Sequence, residues 1–231
     1  MYDKVTDIQQ RRDAAPHFRW WDDMGYGYLH FEPDEQFLDY FDRFRQRDDT
    51  DIGARLTEAR IDLVGKYAGE CMAIMDCGVG GGRFVKEMDC LGYDVSPEAV
   101  TWLKSEARYA DMYDGCKTDI ICFWDCIEHI HNLTRAVDCV GELLFASLPV
   151  FRHREHALAS KHFRPFEHHW YFTEWGFVKT MDEMGFQLVE FNRMEEELGR
   201  EDIGTFVFRR RHHGKSKMGS QAGGVAEGHP C

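Results

Sequence analysis

The sequence predicts an α/β fold: a doubly wound, mostly parallel sheet with an antiparallel last strand, carrying an N-terminal helical and aromatic extension. Three observations carry the prediction. Between residues 51 and 211, short apolar runs alternate with helix-period stretches, and strands spaced by single helices form parallel sheets. A glycine-rich turn joins the first of these runs to a helix. The last two runs, Phe186 to Phe191 and Thr205 to Phe208, are separated by acidic sequence too short for an ordinary helix, so they pair antiparallel.

The elements follow in chain order. Residues 1–50 are aromatic and acidic, with Trp20, Trp21, Tyr26, Tyr28 and Phe31 close together. Pro33-Asp34-Glu35 is a helix start, followed by Phe37, Tyr40, Phe41 and Phe44 at helical spacing. This stretch is too short for a domain and is expected to be a lid or brace. Leu56, Ala59, Leu63 and Tyr67 mark one helix face. Met72 to Met75 is a buried strand, and Leu91 to Val95 a second. Ser96 then caps a helix with Pro97 at its first position. Asp119 to Trp124 is a third strand. Asn132 caps a helix expected to turn Val137, Val140 and Leu144 inward, and Leu144 to Pro149 is the next strand. Thr173 caps a helix bearing Phe177, Val178, Met181 and Met184, which Gly185 ends. Residues 212–231 are small, polar and glycine-rich, and read as a disordered tail.

Composition narrows the function. The 231 residues carry 28 Lys and Arg against 41 Asp and Glu, a net charge of −13. A protein gripping duplex nucleic acid over a wide surface neutralises many phosphates with cations, so nucleic acid is an improbable partner. No apolar run approaches the roughly 20 residues of a membrane span, and the polar N-terminus has no signal-peptide core. The eight cysteines are scattered without a CxxC pair, which predicts a reduced, cytoplasmic protein.

Ile74 to Phe84 holds the most specific signal. Glycines at 78, 80 and 82 follow an apolar strand, with Asp76 at the strand end. A dinucleotide fingerprint would require glycine where Arg83 or Val85 stands, and no Gly-Lys-Ser/Thr phosphate loop is present. The loop therefore brings a ligand close to the backbone without a pyrophosphate cradle. Eighteen residues after Asp76, Asp94 ends the second strand. A carboxylate there can hold both hydroxyls of a ribose, or cap the next helix.

Together these residues resemble the class I S-adenosylmethionine-dependent methyltransferases over about residues 54–211. The glycine loop resembles their first motif, and Gly92-Tyr93-Asp94-Val95-Ser96-Pro97 their second. Tyr109-Ala110-Asp111-Met112 resembles the third, and Trp124-Asp125-Cys126-Ile127-Glu128-His129 the fourth, in the form found in small-molecule enzymes similar to ubiquinone-biosynthesis methyltransferases. The resemblance implies a Rossmann-like sheet of seven strands. It implies S-adenosylmethionine as cofactor and S-adenosylhomocysteine as product, bound by Asp76, Gly78, Gly80, Gly82, Asp94, Val95, Asp111, Met112 and Asp125. One departure stands out: eleven residues separate Gly82 from Asp94, so the helix between them is short.

Methyl transfer from a sulfonium is an in-line displacement, in which orientation alone supplies about 7–11 kcal/mol. A base helps when the acceptor is a hydroxyl or a protonated amine. His129 is the first candidate for that base, with Glu128 to orient it and His169 from the late region as a further catalytic candidate. Five histidines, His153, His156, His162, His168 and His169, lie in the connection after Pro149. With Lys161 and Arg164 they can form a local positive site. No cysteine partners or ligand spacing accompany them, so no metal is expected. The expected protein is a monomeric or homodimeric methyltransferase acting on oxygen or nitrogen of a small molecule. The rival readings are a methyltransferase of nucleic acid or protein, and a non-catalytic cofactor-binding module of the same fold.

Overall fold

The computed structural model describes residues 4–31, 40–115 and 117–211. The chain enters through helix α1 (Lys4–Ala14), a 3₁₀ turn (Ala15–His17) and the hairpin strands β1 (Arg19–Trp21) and β2 (Tyr26–Tyr28). Helices α2 (Tyr40–Asp48) and α3 (Asp51–Gly65) lead to β3 (Ile74–Cys77), α4 (Arg83–Met88), β4 (Leu91–Tyr93), α5 (Pro97–Ser105) and β5 (Thr118–Trp124). A 3₁₀ turn (Ile127–His129), α6 (Leu133–Asp138), β6 (Val140–Pro149), α7 (Arg154–Ala159) and β7 (Trp170–Phe172) follow. The described chain closes with α8 (Glu174–Glu183), β8 (Phe186–Asn192), α9 (Met194–Glu197) and β9 (Ile203–Arg210).

The main sheet has the order β4-β3-β5-β6-β9-β8, parallel except for β9, which runs antiparallel to both β6 and β8. It has six strands rather than the expected seven. The segment that would supply the seventh contributes a single parallel bridge, Gly92 to Tyr109. Two residues further on, the Asp111 carboxylate accepts the amide of Tyr113 at 2.9 Å, and this local side-chain turn bends the backbone away from β4.

Both faces of the sheet are covered, which is why its strands read as continuous apolar runs. On one face Ile121 and Phe123 pack with Val137, Phe177 and Met181. On the other Ile120, Cys122 and Trp124 pack with Leu63, Val64, Val85 and Leu103. The caps form as expected: Ser96 accepts from Ala99, Asn132 from Arg135 and Thr173 from Gly176. Gly185 follows α8 at φ +87°. Helix α6 ends at Asp138, however, so Val140 and Leu144 are strand residues and not part of its inward face. Strand β3 begins at Ile74 and not Met72, because the Met72 sulfur closes a turn by accepting from Gly69 N. Tyr67 lies beyond the end of α3. Of the run through Phe37, Tyr40, Phe41 and Phe44, Phe41 is buried and Phe44 half-buried; Phe37, the Pro33 start and the tail 212–231 lie outside the described residues.

The N-terminal hairpin joins the main body directly. Strand β2 pairs with β7 in a second, three-stranded antiparallel sheet, Gly27 opposite Tyr171. Phe18, Leu29, Phe151, Ala157, Phe163 and Tyr171 form a small core beneath it. The connection after Pro149 is thus not a plain loop, since it carries α7 and β7.

Candidate active site

The carboxyl ends of β3, β4 and β5 meet at one edge of the sheet, the usual crevice for ligands in this architecture. The glycine loop leaves β3 there. Gly78 N donates to Tyr93 O at 2.8 Å, and Val79 N donates to the Asp94 carboxylate at 2.9 Å. Gly78, Gly80 and Gly82 all have positive φ, at 79°, 54° and 86°. A side chain at Gly78 would strike the Cys126 sulfur at 2.6 Å. Gly81 serves a different purpose. A Cβ there would collide with Asp48 Oδ2 and meet the Arg45 amide at 2.6 Å, so its bare backbone lets α2 lie across the loop.

The expected cofactor residues are gathered at this edge, with distinct surroundings. Asp76 is 2 % exposed and its Oδ1 has no hydrogen-bond partner; burial pushes its carboxyl well above the usual range. An orphaned buried carboxylate oxygen is costly to keep and fits a cationic amine donor. Asp94 is occupied on both oxygens, by Val79 N and by Ser96 N at 2.8 Å, so it braces the loop and holds the N-cap residue of α5 while keeping lone pairs free. Burial raises its carboxyl as well. Val95 beside it is 83 % exposed, an apolar side chain without a cover and suited to the face of a planar ring. Asp111 is exposed and held in its side-chain turn. Met112 is buried, with the Cys77 thiol 3.4 Å from its sulfur, so its side chain belongs to the core beneath the site.

Asp125 follows β5 with φ +53°, a strained backbone for a residue with a Cβ. Arg200 donates to both of its oxygens at 2.8 Å, and Arg60 to one at 3.2 Å. Burial would raise this carboxyl, but Arg200 and Arg60 outweigh it and hold it far below the usual range. Arg60 also donates twice to Glu195, at 2.9 and 2.7 Å, and to Ser147 at 3.2 Å. Glu195 is fully buried and also accepts from Arg200. Three segments distant in sequence are thus pinned by one buried ion network beside the site. The sequence reading missed Arg60, Arg200 and Glu195. The available signal was Arg60 itself, a cation on the apolar stripe of α3 between Leu56 and Leu63.

The expected catalytic histidines separate into two groups. Glu128 and His129 lie on the 3₁₀ turn after Asp125, and His168 joins them with its ring 4.6 Å from that of His129. Burial raises the Glu128 carboxyl and lowers both imidazoles. His129 Nδ1 donates to the Glu167 carbonyl at 2.8 Å. His169 points elsewhere: its Nδ1 donates to Leu29 O at 3.1 Å, and its ring stacks between Phe31 at 4.1 Å and Tyr28 at 6.0 Å. It fastens the N-terminal hairpin. His153 caps α7, His156 lies 3.5 Å from Asp202, and His162 bonds the Glu201 carbonyl at 3.0 Å, so the five do not form one cluster. Lys161 likewise pairs with Glu201. A cavity of about 330 Å³ opens between the hairpin and α6, lined by Met24, Tyr26, His131, Trp170 and Met184. Among the described residues no helix is long and apolar enough to cross a membrane.

Known proteins share this fold. Residues 28–191 match the family model of the methyltransferase domain. No curated protein matches the sequence. Among solved structures, the chain is similar to a putative methyltransferase of Haloferax volcanii in complex with a methyltransferase activator, at TM-score 0.58 and 12 % identity over 76 % of this chain and 97 % of that one. It is similar to magnesium protoporphyrin IX methyltransferase of Synechocystis PCC 6803 with bound S-adenosylhomocysteine, at TM-score 0.52 and 13 % identity over 91 % and 97 %. It is also similar to 1,6-didemethyltoxoflavin-N1-methyltransferase of Burkholderia thailandensis, at TM-score 0.51 and 12 % identity over 85 % and 100 %. With 164 of its 231 residues matched and the crevice built on the glycine loop, Asp76 and Asp94, the chain belongs to the methyltransferase-domain family, the S-adenosylmethionine-dependent class I methyltransferases.

Proposed function

We propose that this enzyme methylates oxygen or nitrogen of a small molecule, with the acceptor held at the carboxyl end of β5. The observation that carries the cofactor placement is the orphaned Asp76 carboxylate at the end of the strand that leads into a loop of positive-φ glycines. Asp76 would take the amine of the methionyl group, Asp94 the ribose hydroxyls, and exposed Val95 one face of the adenine, with Asp111 beside its amino group. S-adenosylmethionine supplies an already activated methyl carbon, so the protein's contribution is alignment and exclusion of water. The buried ion network supports that role, because it fixes the backbone at Asp125 where the two reactants would meet.

Two observations support a small acceptor. The net charge of −13 opposes a polyanionic substrate. Two of the similar structures are named as methyltransferases of magnesium protoporphyrin IX and of 1,6-didemethyltoxoflavin, neither of them a polymer. Calorimetric titration with S-adenosylmethionine and S-adenosylhomocysteine, with NAD as the control, tests the cofactor. Micromolar binding of the sulfur nucleosides without NAD binding is expected. A folded chain that binds neither sulfur nucleoside refutes the placement. A labelled-methyl screen of small phenols, carboxylates and amines then tests the acceptor class, and transfer to nucleic acid or protein alone refutes it.

A further inference from the structure

We infer that the cavity between the hairpin, α6 and α8 binds a small quaternary ammonium compound. Its volume is about 330 Å³, at the lower end of the range for ligand sites, which suits a compact ligand of the choline type. Tyr26 and Trp170 form two of its walls, with ring centroids 5.7 Å apart and planes inclined at 68°. The thioethers of Met24 and Met184 line it as well, and exposed Glu183 stands at its rim. Ring faces set at an angle hold a methylated ammonium, because each face attracts the cation while the methyl groups pack as hydrocarbon. Elsewhere the chain covers its ring faces with its own cations: Lys179 lies over Trp175 at 5.7 Å, Arg135 over Tyr113 at 4.2 Å and Lys66 over Tyr67 at 5.3 Å. Among the described residues no Lys or Arg lies over Tyr26 or Trp170. The cation that completes these walls therefore comes from a ligand.

The charge at the cavity points the same way. Asp182 pairs with Arg211, but the next carboxylate, Glu183, makes no hydrogen bond or ion pair among the described residues. The last turn of α8 carries no basic residue, so the negative end of the helix adds to Glu183. Lys179 does not line the cavity: its Nζ donates to Asp23 O at 3.1 Å and to the Met24 sulfur at 3.4 Å. His131, which does line it, is bonded to the Tyr28 hydroxyl at 2.6 Å. The walls are held by the protein itself. Trp170 Nε1 donates to Ile130 O at 2.9 Å, which fixes the indole. Gly25, between Met24 and Tyr26, accepts on its carbonyl from Thr173 N at 2.8 Å and from Thr173 Oγ1 at 3.0 Å, so the hairpin tip is tied to the start of α8. Binding therefore needs little ordering of the site. A primary ammonium fits less well, since it gives up several hydrogen bonds to water for one carboxylate, whereas a quaternary one has no N–H to satisfy. None of the residues assigned to the cofactor lines this cavity.

The test titrates the full chain calorimetrically with choline chloride and tetramethylammonium chloride, against ammonium chloride and the neutral carbon analogue of choline. One quaternary cation per chain is expected, bound at least tenfold more tightly than either control. Proton NMR reads the same contact without a variant, because methyl protons held over ring faces shift upfield on binding. Tyr26→Leu and Glu183→Gln should each weaken choline at least threefold while circular dichroism stays unchanged. Phe166→Leu, which alters an exposed ring outside the cavity, should bind as the parent does. A folded parent that takes up neither quaternary cation overturns the inference. So does binding that the neutral analogue equals, or binding that survives both cavity variants. Displacement of choline by S-adenosylhomocysteine overturns it too, since the cation would then sit in the cofactor crevice. Cofactor affinity is titrated separately without choline, so failure here leaves the cofactor placement standing.

Discussion

Removing Glu195 tests whether the buried ion network holds the site together. The carboxylate is fully buried and accepts two hydrogen bonds from Arg60, at 2.9 and 2.7 Å, and another from Arg200. Glu195→Ala leaves Arg60, whose side chain is 10 % exposed, with Asp125 and Ser147 alone. Hydrogen bonds to charged groups contribute about 1.5–3 kcal/mol each, and breaking a buried pair costs about 3–5 kcal/mol because its partner stays buried and unpaired. Asp125 keeps part of the guanidinium charge compensated, so about 3–4 kcal/mol is expected. With a urea slope of about 2–3 kcal/mol/M, the unfolding midpoint should fall by roughly 1–2 M, read by tryptophan fluorescence and circular dichroism together. Raising the salt to about 1 M should change the loss little, since buried pairs are weakly screened. Removing Arg60 as well should cost less than the sum of the two single changes, because the residues share partners. A loss below about 1 kcal/mol, or full recovery by salt, would show that water reaches the network and that the reasoning fails.

Four further outcomes follow from the same geometry. Asp94→Ala removes the carboxylate proposed to accept the two ribose hydroxyls, so S-adenosylhomocysteine should bind at least ~100-fold more weakly by calorimetry; unchanged affinity in a folded variant excludes the ribose role. Asp76→Asn should weaken the cofactor yet raise the melting temperature of the free protein at pH 8. Its folded carboxyl is raised by burial, so the parent loses stability as pH climbs above the unfolded value near 4, and the gap should close toward pH 4–5; a lower melting temperature at pH 8 contradicts this. The opposite sign holds for Asp125, whose folded carboxyl is depressed: its stabilisation is complete above the unfolded value and is lost only in strong acid, so Asp125→Asn should be destabilised at pH 7 and approach the parent only there. Gly81→Ala should cost about 1–3 kcal/mol through its clash with α2, whereas Gly65→Ala, with open space at the end of α3, should be neutral or slightly stabilising in the same urea assay.

The fold was readable where local chemistry decides it. The caps at Ser96, Asn132 and Thr173, the stop at Gly185 and the glycine turn all depend on residues within four positions. The errors arise where distant partners decide. Val140 and Leu144 fit a helix period as well as a strand, and only the register with β5 assigns them to β6. Glu195 sits in the run Glu195-Glu196-Glu197, which reads as a solvated face until Arg60 and Arg200 are brought to it across the fold. His153 to His169 read as one group because they are close in sequence, but α7 and β7 disperse them. The pairing of the N-terminal hairpin with β7 likewise depends on residues far along the chain.

The missing seventh strand has a consequence for self-association. An exposed sheet edge offers its amides and carbonyls to any other extended chain. Here the edge strand β4 is three residues long, and Gly92 at its centre already donates to Arg108 O and accepts from Ala110 N. The opposite edge, β8, is interrupted by a bulge between Leu188 and Glu190, and Lys66 and Tyr67 both donate to the Glu190 carboxylate. Among the described residues, one border is short and already bonded and the other is bent by its bulge, so neither offers a long flat ladder to another extended chain.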